Sequence, residues 1–302
     1  GLKLVGVEEN TEVLTQPLTF IATANAIAYE KAVPHFIDVS IGTLGLCHVA
    51  LKNRLEEIAE IKEDKCYNKE TGRRISACLP MHTFGLPLEI DKVIEVCDKY
   101  HIPVVEDAAE SLGSYYKNKH TGGFGKVGTF SFNGNKTVTC GGGGAIVTND
   151  EQLAKRAKHI TTTAKIPHKW EYAHDEVGYN YRMPNINAAL ACAQLEQLPL
   201  YLKNKRITSD SYANFFKDNK AIKYIKESEN SRANYWLNAI QLNNLEERNQ
   251  FLEEANSKGV MSRPIWRLLN SLEMYKDCPC GNLENSKHFE NTIVNIPSSV
   301  RV

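Results

Sequence analysis

No run of about 18 apolar residues occurs anywhere in the 302-residue sequence, which excludes a membrane-spanning helix of ordinary length. Net charge is missing too. The 36 lysines and arginines balance the 36 aspartates and glutamates, so the composition argues against a nucleic-acid-binding or polybasic membrane-surface protein. There is no signal-peptide pattern, internal repeat or low-complexity tract. Metal-site spacing is also lacking. Of the eight cysteines only Cys278 and Cys280 stand close together, and no second pair completes a zinc pattern. Most of the others lie within apolar segments such as ISACLPM (Ile75 to Met81), and read as small core residues of a reduced, cytoplasmic protein.

What the chain does have is alternation. Short apolar runs at Glu12 to Gln16, His35 to Val39, Ile75 to Met81 and Ile102 to Glu106 predict strands. Between them, segments from about Ala22, from Val49 to Glu63 and around Ile90, Val93, Ile94 and Cys97 carry apolar residues at helical spacing. The segment DKCYNKETGRR reads as a polar, turn-rich insertion. Such alternation predicts a parallel α/β sheet. Farther on, a strand from Gly144 leads into a helix from Glu151, and Thr161 to Gly178 reads as a loop. A long helix begins near Ile186 and continues past Pro199 toward Phe216. The rest alternates strand (YWLNAIQL), helix (LEERNQFLEEANSKG) and strand (VMSRPIW), a compact α+β unit.

The chemistry concentrates between Val104 and Gly144. Asp107 ends one apolar strand, and Lys136 follows a second, VGTFSF, across the turn Asn133-Gly134-Asn135. Ligands of open α/β sheets sit beyond the carboxyl ends of such strands. A lysine in a dry pocket forms covalent adducts with carbonyls, and a carboxylate facing a pyridine nitrogen keeps that ring an electron sink. The pair therefore fits a pyridoxal-phosphate site. Other readings compete. Asp107 with Glu110 three residues on also reads as a helix N-cap. Gly123, Gly125 and Gly128 spell GxGxxG, the mark of a dinucleotide-binding oxidoreductase, but here they precede a strand and open no helix.

The segment EDAAESLGSYYKNKHTGGFGKVGTFSFNGNKTVTCGGGGAIVTND resembles the core signature of the DegT/DnrJ/EryC1/StrS family of pyridoxal-phosphate-dependent sugar aminotransferases. The likeness extends to QPLTFIATANAI, to His82-Thr83-Phe84-Gly85 and to GYNYRMPNINAALACAQLE. It implies an α/β fold of the aspartate-aminotransferase type (fold type I), with a large, mostly parallel-sheet cofactor domain over residues 1–200 and a small α+β domain over 201–302. It implies that Lys136 bonds to the cofactor, Asp107 pairs with the pyridine nitrogen, Ser131 donates to the phosphate and Phe20 stacks on the ring. Glu110 falls beside the ring hydroxyl, where many members have His or Gln. Asn180 and Arg182 fall where a neighbouring subunit completes the phosphate site, implying a homodimer with a shared active site. In relatives that act as dehydratases the lysine is a His, so Lys136 favours amino transfer; a non-catalytic, regulatory member of the fold is the other alternative.

The implied reaction carries an amino group from glutamate to the C4 ketone of a 4-keto-6-deoxy nucleotide sugar, in nonulosonate or surface-polysaccharide biosynthesis. The segments YWLNAIQL, MSRPIW, CPCGNL and VNIPSSV are similar to the branch making legionaminic-acid precursors. They favour a UDP-linked N-acetylhexosamine, with GDP-linked sugars as the alternative. The chain begins without Met, its first ten residues read as the tail of a helix, and the family's Ser/Thr phosphate-binding turn is expected upstream of Gly1.

Overall fold

The computed structural model describes residues 1–301. The chain opens with a single 3₁₀ turn, Leu2–Val5, ended by Gly6 at φ 86°, in place of the expected helix tail. There follow β1 (Glu12–Thr15), α1 (Ile21–Tyr29), β2 (Val33–Phe36) and α2 (His48–Ile58). Helix α2 stops at Ile58 and not near Glu63, because Ile58 is the last of its buried stripe Leu51, Leu55, Ile58. The next residues form β3 (Ala59–Lys62), paired antiparallel with β4 (Lys65–Asn68). The supposed polar insertion is thus half of a hairpin. Its two turn residues, Glu63 and Asp64, both have positive φ, the conformation that matches the twist of paired strands.

Then come β5 (Ile75–Leu79), α3 (Ile90–Asp98), β6 (Val105–Asp107), β7 (Tyr115–Tyr116), β8 (Lys119–His120), β9 (Val127–Ser131), β10 (Gly144–Val147) and α4 (Glu151–Thr161). The expected loop after α4 contains a small hairpin, β11 (Lys165–Ile166) with β12 (Ala173–His174). Helix α5 (Asn185–Phe216) runs unbroken through Pro199. The chain ends with β13 (Lys223–Tyr224), β14 (Ser231–Arg232), β15 (Asn238–Gln241), α6 (Leu245–Ser257), β16 (Arg263–Pro264), α7 (Glu284–Thr292) and β17 (Ile293–Ile296). The strand expected at VMSRPIW is only two residues long, because Pro264 has no N–H to extend the ladder.

Strands β2, β1 and β5 pair in parallel, and so do β6 and β9, with β10 antiparallel beside β9. Parallel bridges Cys78–Val104 and Met81–Asp107 join β5 to β6, giving the spatial order β2-β1-β5-β6-β9-β10. The sheet is buried on both faces, as the unbroken apolar strands require. Val13 of β1 packs with Ile27 of α1, whereas its neighbour Leu14 packs with Leu51 and Leu55 of α2. A second, antiparallel sheet of order β13-β15-β17-β16 carries the C-terminal core. That core is shared. Ile240, Val294 and Phe289 pack with Leu18, Val39, Leu44 and Phe84 from the N-terminal half. A salt-bridge-free anchor adds to it. Lys205 of α5, buried, donates to the carbonyls of Tyr235, Trp236 and Ser298. Both expected layers are present, and the seam between them lies beside Phe84, close to the stretch holding Asp107 and Lys136.

Candidate active site

Adjacent parallel strands β6 and β9 place Asp107 opposite Thr129, so Asp107 and Ser131 lie at the same, carboxyl, end of the sheet. Beyond β9 the chain loops from Phe132 to Gly143 before returning as β10. The loop is pinned by Phe132 N–H to Gly143 C=O, Cys140 N–H to Phe132 C=O and Lys136 N–H to Asn133 C=O. Lys136 rides on this loop.

No helix follows Asp107. Its Oδ1 accepts the Ala109 N–H at 3.1 Å within a turn, and its Oδ2 accepts the Thr23 hydroxyl at 2.7 Å. The N-cap reading of Asp107 is thereby set aside. The carboxylate is half-buried and held from two sides, with lone pairs to spare on both oxygens. Thr23 belongs to the first turn of α1, directly after Phe20, which is the N-cap residue of that helix. Phe20 is about half exposed, its ring 6.5 Å from that of Trp266, which in turn lies 5.1 Å from Phe84.

Glu110 is fully buried. Its Oε2 accepts the Phe84 N–H at 2.8 Å, while Oε1 has no hydrogen-bond partner and lies 3.7 Å from the Lys136 amine. Burial pushes the Glu110 carboxyl up to about 8; the Lys136 charge and the Phe84 N–H oppose that rise, and the Asp107 charge adds to it. The other face of the Lys136 amine is covered by Trp236, whose ring centre is 4.2 Å away. Trp236 is held at three points. Its N–H donates to Asn234 Oδ1, its indole Nε1–H to the Asn135 carbonyl, and its carbonyl accepts from Lys205. Asn234 in turn donates from Nδ2 to the carbonyls of Glu110 and Leu112, so the residues on both sides of the lysine share one frame. Gly85, at φ 86°, gives Asn234 this room: a Cβ there would stand 1.8 Å from Asn234 Oδ1.

The glycines read as a possible dinucleotide motif have another use. Glu106, buried on β6, accepts the N–H groups of Gly122, Phe124 and Gly125 and bonds to His82 Nε2. Burial alone would raise its carboxyl; His82 and the N–H groups of Gly125 and Gly122 outweigh that and hold it below its ordinary value. The glycine loop is folded around a carboxylate of its own chain and opens no helix, which corrects the dinucleotide reading.

The structure therefore joins Phe20, Asp107, Glu110 and Lys136 through Thr23, Phe84 and Trp236, with Ser131 at the same sheet end. Ser131 Oγ accepts the Asn133 N–H at 3.3 Å, leaving its own proton free. Asn180 and Arg182 are not part of this group. Both are exposed, and among the described residues neither side chain makes a hydrogen bond or ion pair; the backbone there is tied to the end of α4 by the Thr162–Asn180 bridge. Thr23, Trp236, Asn234 and Lys205 were not legible as site residues. Thr23 follows Phe20 at one helical turn, a weak signal, whereas Trp236 is distant in the chain and carries none.

A buried amine, an acid beside it, a second carboxylate at the strand end and a hydroxyl beyond are the parts that a pyridoxal-phosphate site needs, and the unpartnered Glu110 Oε1 leaves an open hydrogen-bonding position among them. The sequence profile of the DegT/DnrJ/EryC1/StrS aminotransferase family matches residues 1–302. The chain belongs to that family. This aminotransferase is 36% identical over 275 residues to EpsN of Bacillus subtilis (strain 168), whose name places it among pyridoxal phosphate-dependent aminotransferases; the match covers 91% of this chain and 68% of that one. It is 36% identical over 277 residues to the GDP-perosamine synthase of Escherichia coli O157:H7, covering 92% and 71%. Among solved structures, a DegT DnrJ EryC1 StrS aminotransferase from Brucella abortus superposes with a TM-score of 0.87 at 24% identity, over 99% of this chain and 77% of that one. The expected fold and the expected pyridoxal-phosphate-dependent sugar aminotransferase are met. The likeness is to the family at large; neither relative singles out the legionaminic-acid branch.

Proposed function

We propose that this chain moves an amino group from glutamate to the C4 ketone of a nucleotide-linked 4-keto-6-deoxy hexose, with pyridoxal phosphate as cofactor. The observation that carries the reading is the placement of the Lys136 amine between Glu110 and Trp236, beside the Asp107 carboxylate at the ends of two parallel strands. The cofactor, when bound, supplies an aldehyde that takes up amino groups and a ring that draws off electrons. Lys136 would bond to it and, once free, would move a proton at its Nζ. Asp107, held by Thr23 and the Ala109 N–H, would face the ring nitrogen and keep it protonated. Ser131 would donate to the phosphate, and Phe20 would cover the ring.

The nucleotide is the finer question. The GDP-perosamine synthase among the relatives makes a GDP-linked sugar the first to try. The C-terminal likeness to legionaminic-acid enzymes favours a UDP-linked N-acetylhexosamine as the second, and with it a role in nonulosonate biosynthesis. Asn180 and Arg182 would serve a neighbouring subunit's site. Supporting this, Trp170, Tyr172, Val177, Tyr181 and Ile186 are all strongly exposed around them, an apolar surface of the kind a second copy covers.

The test is amino transfer itself. The cofactor-loaded protein is given glutamate with each keto sugar, and 2-oxoglutarate and the amino sugar are measured. Product with either sugar supports the reading. A protein that binds cofactor and releases 2-oxoglutarate, yet aminates neither sugar, would require another acceptor.

A further inference from the structure

Glu110 poses a problem of charge. Resting on the reading that pyridoxal phosphate bonds at Lys136, the ligand's ring hydroxyl must lie near Glu110, because that hydroxyl is ortho to the aldehyde the lysine engages. In such rings this oxygen tends to be anionic. A carboxylate beside it would repel it, and a carboxylate cannot donate a hydrogen bond.

The geometry resolves this. Oε2 is already committed as an acceptor, taking the Phe84 N–H at 2.8 Å. In a protonated carboxyl the carbonyl oxygen accepts and the hydroxyl oxygen donates, so the proton belongs on Oε1. Oε1 is the oxygen that is buried, has no partner and faces Lys136 at 3.7 Å. We propose that Glu110 works as a neutral acid, fixed by Phe84 so that its Oε1–H donates to the anionic ring oxygen of the ligand held at Lys136. The titratable groups facing Glu110 are Lys136 and Asp107, one favouring its ionisation and the other opposing it, while burial keeps the proton on. A carboxylic acid kept neutral by an apolar site so that it can donate is an established device. It also explains how Glu replaces an amide or imidazole at this position: all three then present an N–H or O–H. Glutamine is the matching variant, because its carbonyl can keep the Phe84 N–H while its amide donates where Oε1–H did.

Two readouts test this, neither depending on turnover. The first is the infrared difference spectrum of the unliganded protein, wild type minus Glu110→Gln. A protonated-carboxyl C=O band at pH 7 that fades as the pH passes about 8 is expected. A carboxylate band already present at pH 7 would overturn the proposal. The second is binding of pyridoxine 5′-phosphate, which keeps the ring hydroxyl but cannot bond to Lys136. The ratio of wild-type to Glu110→Gln Kd should be near one at pH 7 and rise by about tenfold per pH unit once Glu110 ionises. The ratio cancels the ligand's own titration. A ratio that stays flat to pH 9.5 overturns the neutral-donor role alone. Failure of both proteins to bind at any pH overturns the cofactor reading instead.

Discussion

The Lys136 amine sits over the face of the Trp236 indole, 4.2 Å from the ring centre, although the two residues come from distant parts of the chain. A cation over an indole is stabilised by about 0.5–2 kcal/mol, more when water is kept away. Replacing Trp236 with Leu removes this face while keeping the volume partly filled. The free Lys136 amine of the unliganded protein should then be methylated by formaldehyde and borohydride several-fold faster at pH 7, as read by peptide mass spectrometry. Trp236→Phe, which keeps a ring but loses the Asn135 hydrogen bond, should fall between. Equal rates in all three would mean that the ring does not hold the lysine.

Burial of Glu110 has a stability consequence whose sign can be worked out. Its carboxyl is raised in the folded chain to about 8, above the ordinary carboxylate value. Between these two values the folded state holds a proton that the unfolded state has lost, so this group makes the protein less stable as the pH rises through that window. Glu110→Gln removes the effect. The stability gap between Glu110→Gln and wild type, from urea unfolding of the unliganded protein, should widen from pH 5 to pH 8 by a few kcal/mol and then level off. A gap that narrows over this range would contradict the assignment.

Glu106 behaves in the opposite sense. Its carboxyl is held below the ordinary value in the folded chain, so its contribution is present above the unfolded value and is lost as the pH falls through the folded one. Because it gathers three backbone N–H groups and His82, Glu106→Ala leaves four buried donors unmatched and should cost about 3–5 kcal/mol. Urea unfolding at pH 7 checks the size. A loss under 1 kcal/mol would mean that water or a shifted backbone replaces the carboxylate.

Much of this arrangement could be read from the chain alone. The buried runs at β1, β5, β6 and β9 are apolar throughout, so they announced a two-sided parallel sheet, and Asp107 and Lys136 lie where its carboxyl ends put ligands. Other features could not be read. The hairpin β3–β4 is held by backbone pairing over half-exposed residues, and its polar sequence looks like a loop. The stretch after Asp107 has the spacing of a helix cap, yet Thr23 and Ala109 take up the carboxylate and the chain turns instead. Trp236 reaches Lys136 only because Lys205, Asn234 and Asn135 fix its backbone and ring, contacts that no local pattern records. The glycines of 123–128 fit a nucleotide-binding pattern, but their purpose is to bring N–H groups onto Glu106.

The most direct measurement is the location of a covalent cofactor link. The chain is mixed with pyridoxal phosphate, its visible absorption recorded, and the sample reduced with borohydride and mapped by peptide mass spectrometry, beside Lys136→Ala. A protonated-imine absorption band in wild type only, with the reduced label on Lys136, is the expected result. A label on another lysine, or an unchanged band in Lys136→Ala, would contradict the role given to Lys136 and with it the site built around Asp107, Glu110 and Trp236.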